Sequence, residues 1–335
     1  CPRCIIMILL TYGTRPEYIK LVPLIEELKK ENLEVKLVQI GQHTDLLNDH
    51  YDDKIDIFNR PNRLDSILTS VLASGEHLYK GVHRVIVQGD TTSAMSVALG
   101  AFHRDIPVYH IEAGLRTYDK ENPYPEEINR RIISSLATTH FCPTKRDKLN
   151  LIVEGFEKDK IIVTGNTAID NLVGIETSLG NEVIVTMHRR ENHALLDQWF
   201  ENIEKIAEQY PQYKFVFPSH PNPKVRACAE NCFSKVKVID ALEHSEMLKR
   251  IANCRLVITD SGGIQEECSW FKKVCLVCRL ETERPSQSGV LCRSPYTLKD
   301  NFKLNHNRLV KQDCPFGDGN AARKITEHLC EDILR

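Results

Sequence analysis

Short apolar runs recur along the chain, each closed by a Gly- or Ser-containing turn and followed by a segment whose apolar residues repeat at helical spacing. The first run, residues 5–11, leads through Gly13 into a predicted helix over about 16–31, and residues 35–40 form a second strand. Residues 84–87 precede Gly89 and a small-residue helix over 93–102, and 108–110 and 161–163 supply further strands. A second series opens at 182–187 and continues through 214–218, 236–239, 256–259 and 274–278, again with helices between. Strands alternating with helices predict parallel sheets covered by helices on both faces. The fold class is therefore α/β, with two Rossmann-like domains in tandem and a hinge near 165–170 or in the less patterned stretch to Gly180. Two such domains facing each other would bring the carboxyl ends of their strands to one central cleft, where open sheets bind ligands.

Composition narrows this picture without changing it. The 335 residues suffice for about two domains of ordinary size, each with its own core. Hydrophobic residues at 41% and charged residues at 27% exclude a disordered, collagen-like or coiled-coil chain. Forty-four Lys and Arg against 46 Asp and Glu leave a net charge of −2, so no bulk basic field points to nucleic acid or an anionic membrane, and any anion site is local. The apolar stretch near the N-terminus is too short for a spanning helix or a signal sequence, which gives a cytoplasmic reading with residues 1–6 as an extension ahead of Met7. The 12 cysteines include two Cys-x-x-Cys spacings, Cys1/Cys4 and Cys275/Cys278. The second pair lies in an apolar run read as a buried strand, where an odd separation points side chains to opposite faces, so it does not chelate one ion. The cysteines read as structural or incidental thiols, and no metal is expected.

The candidate chemistry sits in the turns. Gly13-Thr-Arg-Pro-Glu17 places Arg15 at a helix N-terminus, where anions are favoured, with Lys20 one turn further on; an ordinary strand-to-helix turn with a surface arginine is the competing reading. No Gly-x-x-x-x-Gly-Lys-Ser/Thr or Gly-x-Gly-x-x-Gly occurs, which disfavours a nucleoside triphosphatase or an ordinary nicotinamide enzyme. In the second half, Asp260-Ser-Gly-Gly-Ile-Gln-Glu-Glu267 opens a helix whose first N–H groups can hold a diphosphate, while carboxylates farther along the helix can accept from ribose hydroxyls. Alternatively, Ser261 simply caps that helix. Asp90 and Glu112 each follow a strand, and Glu126 and Glu127 begin a helix. Brought together, such carboxylates make an acid/base set; taken singly, Asp90 reads equally as an N-cap and the glutamates as first-turn dipole partners. His188-Arg-Arg-Glu191 at a strand end suits diphosphate recognition, and His220 follows another strand in a Pro-rich loop.

As an ordered set these motifs, with Gly89-Asp-Thr91, Glu112-Ala-Gly-Leu-Arg-Thr117, Pro125-Glu-Glu127 and Thr282-Glu-Arg-Pro285, resemble the non-hydrolysing UDP-N-acetylglucosamine 2-epimerases from about Ile8 to the final helix. The resemblance implies a glycosyltransferase-B-like pair of domains, 1–167 joined by a C-terminal helix 320–335, and 168–319. It also implies a homodimer, a UDP-N-acetylhexosamine substrate, no cofactor, and neither a nucleic-acid nor a membrane partner. The reaction it implies eliminates UDP across C1–C2 of the sugar and adds it back with protonation of the opposite C2 face. Asp90, Glu112, Glu126 and His188 match the family's catalytic groups. Arg15, Lys20, Arg116, His220, Ser261, Gly262, Gly263 and Glu267 match substrate contacts. Gln42 and His43 match positions of an allosteric nucleotide-sugar site, but Asp45 and a shortened stretch around 60–66 depart from it, so allosteric activation is not carried over. Ser286 stands where bacterial members usually have glutamate. A sugar-nucleotide hydrolase or glycosyltransferase of the same fold is the alternative.

Overall fold

A computed structural model describes residues 6–41, 51–219 and 222–334. The chain divides into two compact units, one running to Asn171 and resuming at Gly317, the other Leu172–Phe316.

The first unit contains, in chain order, β1 (Met7–Tyr12), α1 (Arg15–Lys30), β2 (Glu34–Ile40), β3 (Asp53–Ile55), α2 (Arg63–Ala73), α3 (Gly75–Tyr79), β4 (Arg84–Gln88), α4 (Thr92–Phe102), β5 (Val108–Ile111), α5 (Glu126–Leu136), β6 (Thr139–Cys142), α6 (Lys145–Val153), β7 (Ile161–Val163) and α7 (Thr167–Asp170). All pairings are parallel, in the order β3-β2-β1-β4-β5-β6-β7. Alternation along β1 builds two cores. Ile8, Leu10 and Tyr12 join Leu21, Leu24 and Leu28 of α1 on one face, while Leu9 joins Val71 of α2 and Val97 of α4 on the other. The second unit contains β8 (Glu182–Thr186), α8 (Leu196–Gln209), β9 (Lys214–Pro218), α9 (Pro223–Cys232), β10 (Lys237–Ile239), α10 (His244–Asn253), β11 (Leu256–Thr259), α11 (Gly262–Trp270), β12 (Val274–Cys278), β13 (Gly289–Cys292) and α12 (Pro295–Asn305). Its parallel sheet runs β10-β9-β8-β11-β12-β13. The closing helix α13 (Ala321–Leu334) returns to the first unit, where Ala322, Ile325 and Leu329, one stripe at helical spacing, pack with the α1 leucines. Both carboxylate oxygens of Asp170 accept from its first N–H groups, Ala321 at 3.0 Å and Ala322 at 2.7 Å.

The periodicity finds most of these strands and misses three. β3 is a three-residue edge strand with two charged residues, β6 reads Thr-His-Phe-Cys, and β13 begins at a glycine. β6 is buried throughout, so the sheet accepts its polar residues at positions where the pattern alone reads a turn. Cys275 and Cys278 fall on β12 as expected, both fully buried; Cys278 joins the core with Cys292, while Cys275 lies against Cys268.

In each sheet the strand order reverses once, between β1 and β4 and between β8 and β11. Loops leaving adjacent strands diverge there, which opens a crevice at the carboxyl edge.

Candidate active site

At the first reversal, the loops after β1 and β4 are tied by Glu17. This carboxylate is 4% exposed. Its Oε2 accepts from the Gly13 amide at 2.9 Å and the Thr14 hydroxyl at 2.8 Å, and its Oε1 from the Thr91 hydroxyl at 2.6 Å. Burial raises its pKa, opposed by these hydrogen bonds. Thr14 caps α1 and Thr91 caps α4, so one glutamate fixes both helix starts, with Arg15 half-buried as the first residue of α1. The Thr-x-x-Glu spacing of a capping box is the sequence signal for this role.

Beside it, Glu112 follows β5 with φ +66°, a left-handed conformation uncommon for a residue with a side chain. The turn aims the carboxylate back over the sheet edge, where the Lys20 ammonium meets it at 2.6 Å, the Gln88 amide donates to the same oxygen, and the Asn166 amide donates to the other at 3.4 Å. Gly89, also left-handed at φ +73°, passes close to this carboxylate, and its carbonyl accepts from His110 Nε2 at 2.8 Å. Burial lowers the His110 pKa to about 4, so the imidazole that holds this turn is neutral. Asp90 projects from the same turn with its side chain 22% exposed, and Oδ2 takes a fork from Arg130, at 2.8 Å from Nε and 2.7 Å from Nη2. Asn129 donates to the Asp90 carbonyl at 2.9 Å.

The neighbouring glutamates of α5 divide sharply. Glu127 is buried and accepts from the Thr117 and Tyr118 amides at 3.0 and 3.1 Å and from Arg130 at 3.1 Å, a framework role. Glu126 stands half-buried in the first turn of the same helix. Arg116, expected from the resemblance to touch substrate, directs its guanidinium elsewhere. It forks onto Glu154 at 2.8 and 2.9 Å, donates to Ser134 at 3.0 Å, and its side chain is 0% exposed. It holds the loop after β5 against α5 and α6.

The second unit repeats the device. Asp260, fully buried at the end of β11, accepts from the amides of His188 at 3.0 Å and Arg189 at 2.9 Å and from the Asn192 side chain at 3.0 Å. One carboxylate thereby fixes the loop after β8 to the start of α11 and leaves the His188 ring, 38% exposed, at the sheet edge. In the sequence Asp260 is legible only as part of a motif, because nothing in its spacing marks a residue whose partners lie about 70 positions away.

Ser261 occupies the N-cap of α11 but makes no side-chain capping bond, which weakens its reading as a simple cap. A Cβ at Gly262 would sit 2.7 Å from the Arg284 guanidinium, so a side chain there has to displace a group tied to Glu266 and Glu283; at Gly263 a Cβ would meet no atom within 4 Å. Nothing in the protein itself demands the second glycine, and the space over it lies at a helix N-terminus. Glu267, two turns in, faces His244 Nε2 at 3.4 Å. Behind α11, Arg284 pairs with Glu266 at 2.6 Å and with Glu283, and Arg279 pairs with Glu283 at 2.9 Å and Glu191 at 3.0 Å. Burial, then the nearby Arg279, lowers the Arg189 pKa, which marks a cation-rich environment beside His188. Gln42, His43 and His220 lie outside the described residues.

The UDP-N-acetylglucosamine 2-epimerase family model matches residues 26–330. The UDP-N-acetylglucosamine 2-epimerase of Neisseria meningitidis is 34% identical over 373 aligned positions covering 97% of this chain and 99% of that protein. The enzyme of that name from Bacillus subtilis is 34% identical over 358 positions, covering 96% of this chain and 94% of the relative. A crystal structure of UDP-GlcNAc 2-epimerase from Neisseria meningitidis bound to UDP-GlcNAc superposes with a TM-score of 0.88 at 31% identity, covering 97% of this chain and 100% of the other. Two parallel sheets carrying the family's motifs in order, and this similarity along nearly the whole length, place the chain in the UDP-N-acetylglucosamine 2-epimerase family.

Proposed function

We propose that this protein interconverts UDP-N-acetylglucosamine and UDP-N-acetylmannosamine by the non-hydrolysing route. The observation that carries the reading is the carboxylate group at one sheet edge, Asp90 and Glu112 with Glu126 on the adjoining helix, in a chain of this family. C2 of the sugar is not adjacent to a carbonyl, so its proton is weakly acidic and needs a positioned base. One carboxylate takes the C2 proton; the C1–O bond breaks and its electron pair leaves with UDP, forming a 2-acetamidoglucal. Return of UDP to C1, with a proton delivered to the opposite face of C2, completes the inversion. Negative charge grows on the diphosphate as C1–O breaks, and positioned donors are worth most there. Within the second unit we assign these donors to His188 and the first N–H groups of α11 at Ser261, Gly262 and Gly263, and the ribose contact to Glu267. The proton-transfer groups need different protonation states in the two half-reactions; Glu112, held by Lys20, and Asp90, held by Arg130, are the carboxylates offered for them.

We further infer a cytoplasmic homodimer. Every described cysteine is a free thiol, which suits a reducing compartment, and no described helix is long and apolar enough to cross a membrane. Ile128 and Ile132, one turn apart on α5 and each 37% exposed, offer apolar surface to a second copy.

Incubation with UDP-N-acetylglucosamine in heavy water tests the activity. NMR should show UDP-N-acetylmannosamine carrying deuterium at C2. Free sugar accumulating in step with UDP, or product without C2 exchange, would refute the proposed route.

A further inference from the structure

In the second unit, Cys228 and Cys232, which have no role assigned above, lie four positions apart on α9 and face Asp197 in the first turn of α8. The two sulfurs are 3.9 Å apart, and the Cys228 thiol donates to Asp197 Oδ1 at 2.9 Å. Ligand atoms of all three residues lie within 4.8 Å of one another. Both thiols are half-buried and Asp197 is exposed, so the cluster is open to solvent.

We infer that Asp197, Cys228 and Cys232 form a zinc-binding site that links α8 to α9. The geometry favours an ion over a disulfide. Side chains four apart on a helix carry Cβ atoms about 5–6 Å apart, whereas a disulfide needs about 3.5–4.5 Å. Two thiolates bound tetrahedrally to zinc at about 2.3 Å each stand about 3.8 Å apart, which the observed separation already matches. A carboxylate oxygen in the same coordination shell lies about 3.5 Å from each sulfur. Asp197 therefore has to retreat by a fraction of an ångström from the Cys228 thiol and settle at the same distance from the Cys232 sulfur, which already lies within 4.8 Å, and an exposed carboxylate at a helix start can make that adjustment. On binding, each thiol releases its proton to water as its sulfur–zinc bond forms, and no electron changes hands. Two thiolates and one carboxylate suit zinc over magnesium or calcium, which take oxygen ligands. The fourth position falls to solvent.

Cobalt(II) is the probe, added under reducing conditions to the full chain carrying Cys1→Ser and Cys4→Ser, which removes the other Cys-x-x-Cys pair lying outside β12. One equivalent should produce a thiolate-to-cobalt charge-transfer band, displaced by one equivalent of zinc. Cys228→Ser and Cys232→Ser should each abolish the two-thiolate band and weaken binding at least about tenfold. Asp197→Asn, an exposed substitution that leaves the fold intact, should weaken cobalt binding while keeping the band. Zinc should raise the melting temperature of the parent and not of the Cys228→Ser/Cys232→Ser protein. No band at one equivalent, or a band that survives in that double variant, overturns the assignment.

Discussion

Lys20→Met isolates the ion pair at the centre of the first unit. The variant keeps the Gln88 and Asn166 amides on Glu112 but removes the ammonium at 2.6 Å, leaving a carboxylate whose side chain is 2% exposed. Stripping a buried charge of its counter-ion costs about 3–5 kcal/mol. The surviving amide donors, and the 18% exposure of Lys20, reduce this to about 2–4 kcal/mol. Glu112→Gln acts from the other side and should cost less, about 1–2 kcal/mol, because the lysine can turn towards water. Removing both charges together should therefore cost less than the sum of the single changes by about 1–2 kcal/mol. Urea unfolding of the four proteins, read only where the m-values agree, measures this coupling. C2 exchange in heavy water supplies the second readout, and both single variants should lose it. Free energies that add within about 0.5 kcal/mol would show that the pair does not act as a unit, and the reasoning would fail.

Three further outcomes follow from the same structure. The His110 imidazole has its pKa lowered to about 4 by burial, so in acid the unfolded chain takes up the proton first. Its contribution to stability is complete above about pH 6.5 and falls by on the order of 3 kcal/mol as the pH drops to about 4; His110→Gln should flatten this part of the wild-type stability profile. Glu127→Gln should destabilise the protein by about 1–3 kcal/mol in urea unfolding through its buried amide and Arg130 bonds, whereas Glu126→Gln should abolish C2 exchange. Gly262→Ala should cost about 1–3 kcal/mol against Arg284, while Gly263→Ala should leave stability unchanged or improved and weaken UDP binding measured by calorimetry; equal effects at the two positions would remove the case for a ligand over α11.

The sequence by itself determined the alternation of strands and helices, because a buried parallel strand must be apolar over several residues and its crossover helix must carry a stripe; β7, β9, β11 and β12 match their apolar runs residue for residue. It also placed Asp90, Glu112, His188 and Ser261 in turns after strands, since local pattern fixes where a strand ends. Three choices lay beyond it. Polar β6 became a strand because the sheet around it pairs its backbone on both sides. Glu126 and Glu127, adjacent and chemically alike, separated into a half-buried candidate and a buried framework residue, the latter fixed by the amides of Thr117 and Tyr118. Likewise Arg116 went to Glu154, 38 residues onward, instead of outward. The same limit hid the roles of Glu17 and Asp260, and of Asp197 beside Cys228 and Cys232. A carboxylate's role is set by the donors around it, and in a doubly wound sheet those donors come from strands and helices far apart in the chain but adjacent in space.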